Sequence, residues 1–275
     1  MIYEEPVYRP LGDSYVTVEF GDEATITVNL RVVALRLALN ESPIAGVRDY
    51  VNTTRSLGII YNPFEISYND LVKELKKLMP TVGNVQKIPS RLFRIPVYYN
   101  DPWSLECAQA HGVGNNLEYV AEINNLSPEE FIQKHTSTTY WVASLGFIPG
   151  AYNAYPMNPE IVFSAPKYKI PRTWTPERTV AFAGASVGPY PIAGPGGYQA
   201  LGRTPVNLYE LEQKNHIFRE NDSPILARVG DRQIFFPITE QEYHETRQLV
   251  EEHRYTYDVT YEEFDIENYL ASVHS

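Results

Sequence analysis

Apolar and polar positions alternate at Tyr15-Val-Thr-Val-Glu-Phe20, the two-residue period of a half-buried strand, and Gly21-Asp22 then turns the chain. The period next lengthens: Leu30, Val33, Ala34, Leu37 and Ala38 recur at helical spacing, and Asn40-Glu-Ser-Pro-Ile-Ala-Gly46 ends that helix. Val47–Val51 and Ser56–Tyr61 predict strands that pair around Asn52-Thr53-Thr54. Ser67 or Asn69 is placed to cap a second helix, with Leu71, Leu75 and Leu78 on one face and Pro80 closing it. Leu92–Tyr98 is strand-like again.

This β-α-β-β-α order, completed by the Leu92–Tyr98 strand, resembles a ferredoxin-like split βαβ, and it sets a first domain at residues 1–88. A second domain, residues 89–240, follows. Ser104–His111 predicts a short helix. Ser127-Pro-Glu-Glu130 is a helix start with Ser at the N-cap, Pro in the first turn and Glu reaching back, and that helix runs to about His135-Thr136. Tyr140–Leu145 reads as a strand. From Gly146 to about Pro237 short strands alternate with Gly/Pro turns, a pattern that favours a closed β-barrel over a parallel sheet. Glu240–Arg254 predicts a charged helix, and 255–275 an aromatic, acidic tail, so 241–275 forms a third segment. The tail is either a docking element or solvated chain.

The net charge is −11 over 275 residues, which argues against a nucleic-acid backbone as the main partner. Residues 240–275 hold ten Asp/Glu against Arg247 and Arg254, a local −8, so the remainder is near neutral and has room for a basic pocket. The single cysteine, Cys107, excludes a disulfide framework and a CxxC zinc site. Neither a basic leader nor an apolar run of membrane-spanning length is present, so a cytoplasmic protein with no membrane partner is the expectation. His111, His135, His216, His244, His253 and His274 show no metal-ligand spacing, and no metal is expected.

The densest signal is Gly184–Pro205, where glycines at 184, 188, 194, 196, 197 and 202 interleave with Pro189, Pro191, Pro195 and Pro205. Such a run builds tight turns and leaves no room for a helix. Gly184-Ala-Ser-Val-Gly188 matches the G-x-S-x-G expression of a hydrolase nucleophile elbow, but the prolines forbid the helix that an elbow requires. A self-contained hydrolase therefore rests on Ser186 alone. No G-K-[ST] follows the glycines, which sets a phosphate loop aside. Gln199 and Arg203 flank Gly202 and are spaced to reach one mouth, an amide beside a guanidinium fork suited to a carboxylate.

His135-Thr136, Gly146-Phe-Ile-Pro-Gly150, Pro171-Arg172, Tyr190-Pro191, Pro195-Gly-Gly-Tyr-Gln199 and Gly202-Arg-Thr-Pro205 together resemble the allophanate hydrolase subunit 1-like family. That family, the carboxyltransferase domain subdomain C and D proteins, includes the B-type 5-oxoprolinase subunits, the KipI kinase inhibitor and half of the carboxyltransferase domain of urea carboxylase. The resemblance implies an α+β chain: a ferredoxin-like N-terminal domain, a cyclophilin-like β-barrel, then the C-terminal helix and tail. It implies a subunit of an ATP-dependent enzyme acting on amide or lactam C–N bonds, by lactam opening or carboxyl transfer. The partner would be a homologous barrel subunit, of the allophanate hydrolase subunit 2 kind or the C-type 5-oxoprolinase kind, and ATP or carboxybiotin would arrive through partner subunits. By motif position His135, Arg172 and Arg203 would be catalytic, with His135 the proton carrier, while Gly150, Tyr190, Gly196, Gly197 and Gln199 would bind substrate. The alternative is a KipI-like inhibitor of a sensor histidine kinase. Three departures stand out: Pro149-Gly-Ala-Tyr-Asn-Ala-Tyr155 replaces the family's P-G-F-x-x-L-G-G, Ser186 stands where glutamine is usual, and Tyr198 where tryptophan is common. They point to a different, bulkier or less polar amide, lactam or ketone.

Overall fold

Ile2–Pro10 (β1) and Tyr15–Gly21 (β2) pair antiparallel at the start of the chain, in a computed structural model that describes residues 1–274. Thr25 caps α1 (Ile26–Glu41), its hydroxyl accepting from Val28 N at 3.3 Å. Val47–Asn52 (β3) and Ser56–Tyr61 (β4) form the expected hairpin, and Ser67 caps α2 (Tyr68–Gly83). The four strands form one sheet in the order β1-β2-β4-β3, and Val18, Leu35, Leu57, Ile59 and Leu71 are fully buried in its core.

Two expectations are corrected here. Pro80 does not close α2; the helix continues to Gly83 and buries Val82. So close to the helix end, a missing donor costs one bond and leaves the last turn free to form. The position beside β2 is held by β1, which the sequence pattern did not reveal, and not by Leu92–Tyr98. That stretch belongs to a longer strand, β5 (Lys87–Tyr99), which pairs in parallel with a distant strand from Leu92 against Arg232 onward. Arg91 next to it is locked to Asp231 by a buried bidentate pair (Nε to Oδ1 2.9 Å).

The chain separates into two compact units, one holding Met1–Ser90 and the residues from Glu262 onward, the other Arg91–Tyr261. In the second unit Asp101, Asn115 and Ser127 cap α3 (Pro102–Ala110), α4 (Asn116–Ile123) and α5 (Pro128–Thr136), the last with the complete Ser127/Glu130 capping box. The sheet strands that follow are β6 (Tyr140–Leu145), β7 (Tyr152–Pro156), β8 (Thr179–Ala183), β9 (Ser186–Val187) and β10 (Gln199–Arg203). After them come α6 (His216–Glu220), β11 (Arg232–Pro237), α7 (Glu240–Glu251), β12 (Val259–Asp265) and α8 (Ile266–His274). The eight-stranded sheet runs β10-β8-β9-β7-β6-β11-β5-β12, and β10 also pairs with β5. Hydrogen-bonded pairings therefore pass from β5 through β11, β6, β7, β9, β8 and β10 back to β5. Phe93, Val97, Phe131, Tyr140, Val142, Leu201 and Phe235 are fully buried in this unit's core.

The acidic tail is not simply solvated chain. Its residues make β12 and α8, with Tyr257 and Phe264 buried, because alternating aromatics give it apolar area to bury despite the charge. Ser275, the end of that tail, lies outside the described residues. No helix among the described residues is long and apolar enough to cross a membrane.

Candidate functional site

The Gly/Pro run folds as the sequence requires. Gly184, at φ +61°, opens a two-residue turn between Ala183 and Ser186, which pair across the β8–β9 hairpin. Ser186 therefore sits on a two-residue strand with no helix behind it. Its buried hydroxyl donates to Ala183 O at 3.3 Å and Asn153 Oδ1 at 3.4 Å. This is not the exposed serine of an elbow.

The second half of the run walls a cleft of about 510 Å³ in the second unit. Two loops are zipped together there. Arg172 and Gly196 exchange backbone hydrogen bonds of 2.9 and 3.1 Å, and Tyr168 N donates to Gly197 O at 2.8 Å. Tyr190 lies directly against Gly196, so closely that a Cβ there would stand 2.0 Å from its Oη. Burial pushes the Tyr190 phenol pKa up, so it stays protonated at neutral pH. The ring of Tyr198 carries the Lys167 ammonium 5.0 Å from its centroid, and its hydroxyl donates to Asn153 Oδ1 at 2.9 Å. At the mouth Phe147 is 73% exposed at φ +80°, a strained conformation for a bulky side chain, and stands edge-on to Tyr190.

Of the residues singled out in the sequence, the structure brings Tyr190, Gly196 and Gly197 to this cleft. Gly150 is beside it, at φ +78°, where a Cβ would meet Pro191 Cγ at 3.3 Å. Arg172 and Gln199 are behind the wall. The Arg172 guanidinium donates to Tyr198 O at 2.7 Å, Thr175 Oγ1 at 3.2 Å and Asn116 Oδ1 at 3.4 Å. Gln199 Nε2 donates to Pro166 O at 2.8 Å, and its buried Oε1 has no partner. These side chains tie together the loops that wall the cleft, and the Arg172 guanidinium lies 4.8 Å from the centroid of the cleft residue Tyr168.

His135 is not brought to the cleft. It is fully buried, ringed by Phe131, Tyr140, Phe235 and Tyr99 at 5.1 to 5.8 Å between centroids, with Nδ1 hydrogen-bonded to Tyr99 Oη at 2.8 Å. Burial alone pushes its pKa down to about 3, so it is neutral at pH 7 and sealed from solvent, the setting of a core residue and not of a proton carrier. Arg203 also points elsewhere, toward Glu177 and Trp103.

Sequence reasoning missed Lys167 and Tyr168, and it held Phe147 and Asn153 only inside longer stretches without assigning them to a site. The available signal was Pro166-Lys-Tyr-Lys-Ile-Pro171, a basic and aromatic run bracketed by prolines in an acidic chain. Among the described residues that line the cleft, Lys167 carries the charge, and none is Ser, Cys, His, Asp or Glu. The lining thus offers one ammonium, several tyrosine rings and backbone groups, and the described residues add no carboxylate, imidazole or thiol. Among the described residues no cluster of His, Cys, Asp and Glu is placed to hold a metal ion.

The family model for the carboxyltransferase domain, subdomain C and D, matches residues 6–218. The chain belongs to this family. Over 244 residues it is 32% identical to the B-type 5-oxoprolinase subunit of Bacillus subtilis, covering 85% of this chain and 93% of that protein. It is 26% identical to the urea amidolyase of Saccharomyces cerevisiae over 98% of this chain, but spans only 15% of that much longer enzyme. The crystal structure of the Kluyveromyces lactis urea amidolyase superposes with a TM-score of 0.83 at 25% identity, covering 98% of this chain and 17% of that one. Three residues singled out in the sequence meet at one point: the Asn153 amide oxygen accepts from both Tyr198 and Ser186.

Proposed function

We propose that this chain is the substrate-recognition subunit of an ATP-dependent enzyme that opens an amide or lactam C–N bond, completed by a homologous barrel subunit of the C-type 5-oxoprolinase kind. The observation that carries this reading is the cleft itself, with a cation, aromatic faces and backbone groups but no carboxylate, imidazole, serine or thiol among its described lining residues. A site built this way needs groups from elsewhere to do chemistry. The near full-length match to a B-type 5-oxoprolinase subunit supports the lactam-opening form. A ferredoxin-like first unit fits the strand order β1-β2-β4-β3, with β1 as the outer strand. A cyclophilin-like barrel fits the return of pairings to β5.

In this reading Lys167 holds a carboxylate of the substrate against the Tyr198 face, and Phe147 and Tyr190 enclose its ring. Gly196 and Gly197 let the backbone approach. Arg172 and Gln199 are positioning residues, keeping Tyr198 and the Lys167 loop in register. The Asn153–Ser186–Tyr198 cluster sets the wall against which the substrate body packs, and so its specificity. Carboxyl transfer is the second reading, favoured by the matches to urea amidolyases, which extend over 96% and 98% of this chain. The cleft residues fit a carboxybiotin ureido ring, with Lys167 for its carboxylate and the tyrosine faces for its ring; when bound, that group supplies an activated carboxyl. The residues do not fit ATP, because Gly194–Gly197 lead into β10 and open no helix whose N-terminus receives a phosphate. The kinase-inhibitor reading has no comparable support.

Lys167→Ala in the assembled enzyme is expected to raise KM for a carboxylate-bearing lactam by about tenfold, as loss of one charge-assisted contact requires, with Lys167→Arg recovering most of it. Steady-state kinetics check this, and an unchanged KM would remove Lys167 from the site.

A further inference from the structure

Away from the cleft, Thr179 pairs with Arg203 across β8 and β10, which places Arg178 and Arg203 side by side. Both guanidiniums are turned on one carboxylate, Glu177. Arg178 Nη1 is ion-paired with Glu177 Oε1, while Arg203 Nη2 stands 3.5 Å from the same oxygen and its Nε donates to the Glu177 carbonyl at 2.8 Å. The arginine side chains are 9% and 11% exposed, the glutamate 46%. We propose that Arg178 and Arg203 form a second binding site, for a small-molecule carboxylate carrying an apolar group, in which Glu177 is a resident anion that the ligand displaces.

Four features separate this cluster from an ordinary ion pair. Two cations share one carboxylate, and the Arg203 contact is too long for a formed hydrogen bond, so the charge is under-matched. Arg178 Nε is buried with no hydrogen-bond partner, a donor in want of an acceptor. Arg178 itself is held at φ +61°, an unfavourable backbone for a non-glycine residue, and is pinned from both sides by its N–H donating to Tyr190 O and its carbonyl accepting from Thr204 N at 3.0 Å. The forks are thus fixed in place before any ligand arrives. Finally, the Arg203 guanidinium lies 4.8 Å from the centroid of Trp103, whose ring packs on Tyr243 at 5.1 Å, giving an aromatic wall beside the two cations. Asp101 is a second carboxylate near Arg203, but it is fully buried, its Oδ1 accepts from Ser104 N at 3.0 Å and its Oδ2 makes no hydrogen bond among the described residues, so it attracts Arg203 without taking up the fork.

Exchange is favoured by the unequal burial. Glu177 returns to water at little cost because nearly half of it is already there, whereas the arginines stay put. An incoming carboxylate takes the same fork geometry and adds a contact to Trp103. None of these residues lines the Lys167 cleft, so the site does not depend on the function proposed above and stands if that reading fails.

The test is a titration of the full chain, 15N-labelled, with sodium benzoate, following the arginine Nε–H signals against sodium chloride at equal ionic strength. Arg178→Lys and Arg203→Lys assign the two signals. Saturable shifts of both are expected with benzoate alone, Glu177→Gln should tighten the dissociation constant by about tenfold by removing the competitor, and Arg203→Ala should abolish saturation while the remaining spectrum stays native. Absence of saturable shifts in both the wild type and Glu177→Gln, equal shifts with chloride, or saturation surviving Arg203→Ala would each overturn the proposal.

Discussion

Gly196→Ala is expected to close the cleft and to destabilise the second unit by about 1–3 kcal/mol, the usual penalty for overpacking a filled interior. The added methyl would stand 2.0 Å from Tyr190 Oη and 2.5 Å from two of its ring carbons. The backbone side has no room to yield. The Gly196 backbone is bonded in both directions to Arg172, which is itself anchored on Tyr198, Thr175 and Asn116. Tyr190 is 3% exposed and lines the cleft, the space on its free side. Its ring therefore swings into the ligand volume, and binding is lost along with stability. Urea denaturation measures the stability term. A double-mutant cycle with Tyr190→Ala isolates the cause, since the alanine at 196 should cost far less once the ring is gone. An equal cost in both backgrounds would mean that the clash lies elsewhere.

Acidification is expected to weaken the second unit through His135. Burial holds its pKa at about 3 against an ordinary value of 6.5. Between these values the unfolded chain carries a proton that the folded chain excludes, so the neutral ring's contribution is fully present above pH 6.5 and is lost as pH falls toward 3. For this one group the slope is about 1.4 kcal/mol per pH unit. His135→Phe should flatten that slope, at a cost of about 1–3 kcal/mol from leaving the Tyr99 hydroxyl without its partner. Denaturation followed by the buried Trp141, from pH 7 to pH 4, reads both effects. The same slope in variant and wild type would contradict the account. A folded His135→Phe enzyme with an intact cleft but no turnover would restore the proton-carrying role.

Local elements were legible because their determinants are local. The Ser67 cap, the Ser127/Glu130 capping box and the Gly184 turn each depend on residues within a few positions. What was not legible depended on distant pairing. Nothing in Leu92–Tyr98 says that its neighbours are Arg232–Pro237 in parallel and Arg203 on the other side, and nothing in Ile2–Pro10 announces the outer strand of the first sheet. At the site, a motif does not say which way a side chain faces. Arg172 and Gln199 hold loops from behind, Arg203 turns to Glu177, and His135 is enclosed by aromatic rings whose convergence only the fold creates. Lys167 lines the cleft from a short basic and aromatic run bracketed by prolines, a signal that marks a fixed loop but not the direction of its side chains.

The most direct test of the central claim is lactam-opening turnover with ATP, measured on the purified chain alone and after co-expression with a C-type 5-oxoprolinase subunit and the other subunits the proposal calls for. The account expects no turnover from the chain alone, turnover from the assembly, and its loss with Gly196→Ala at unchanged subunit stoichiometry. Full activity from the isolated chain, or undiminished activity of the Gly196→Ala assembly, would contradict it.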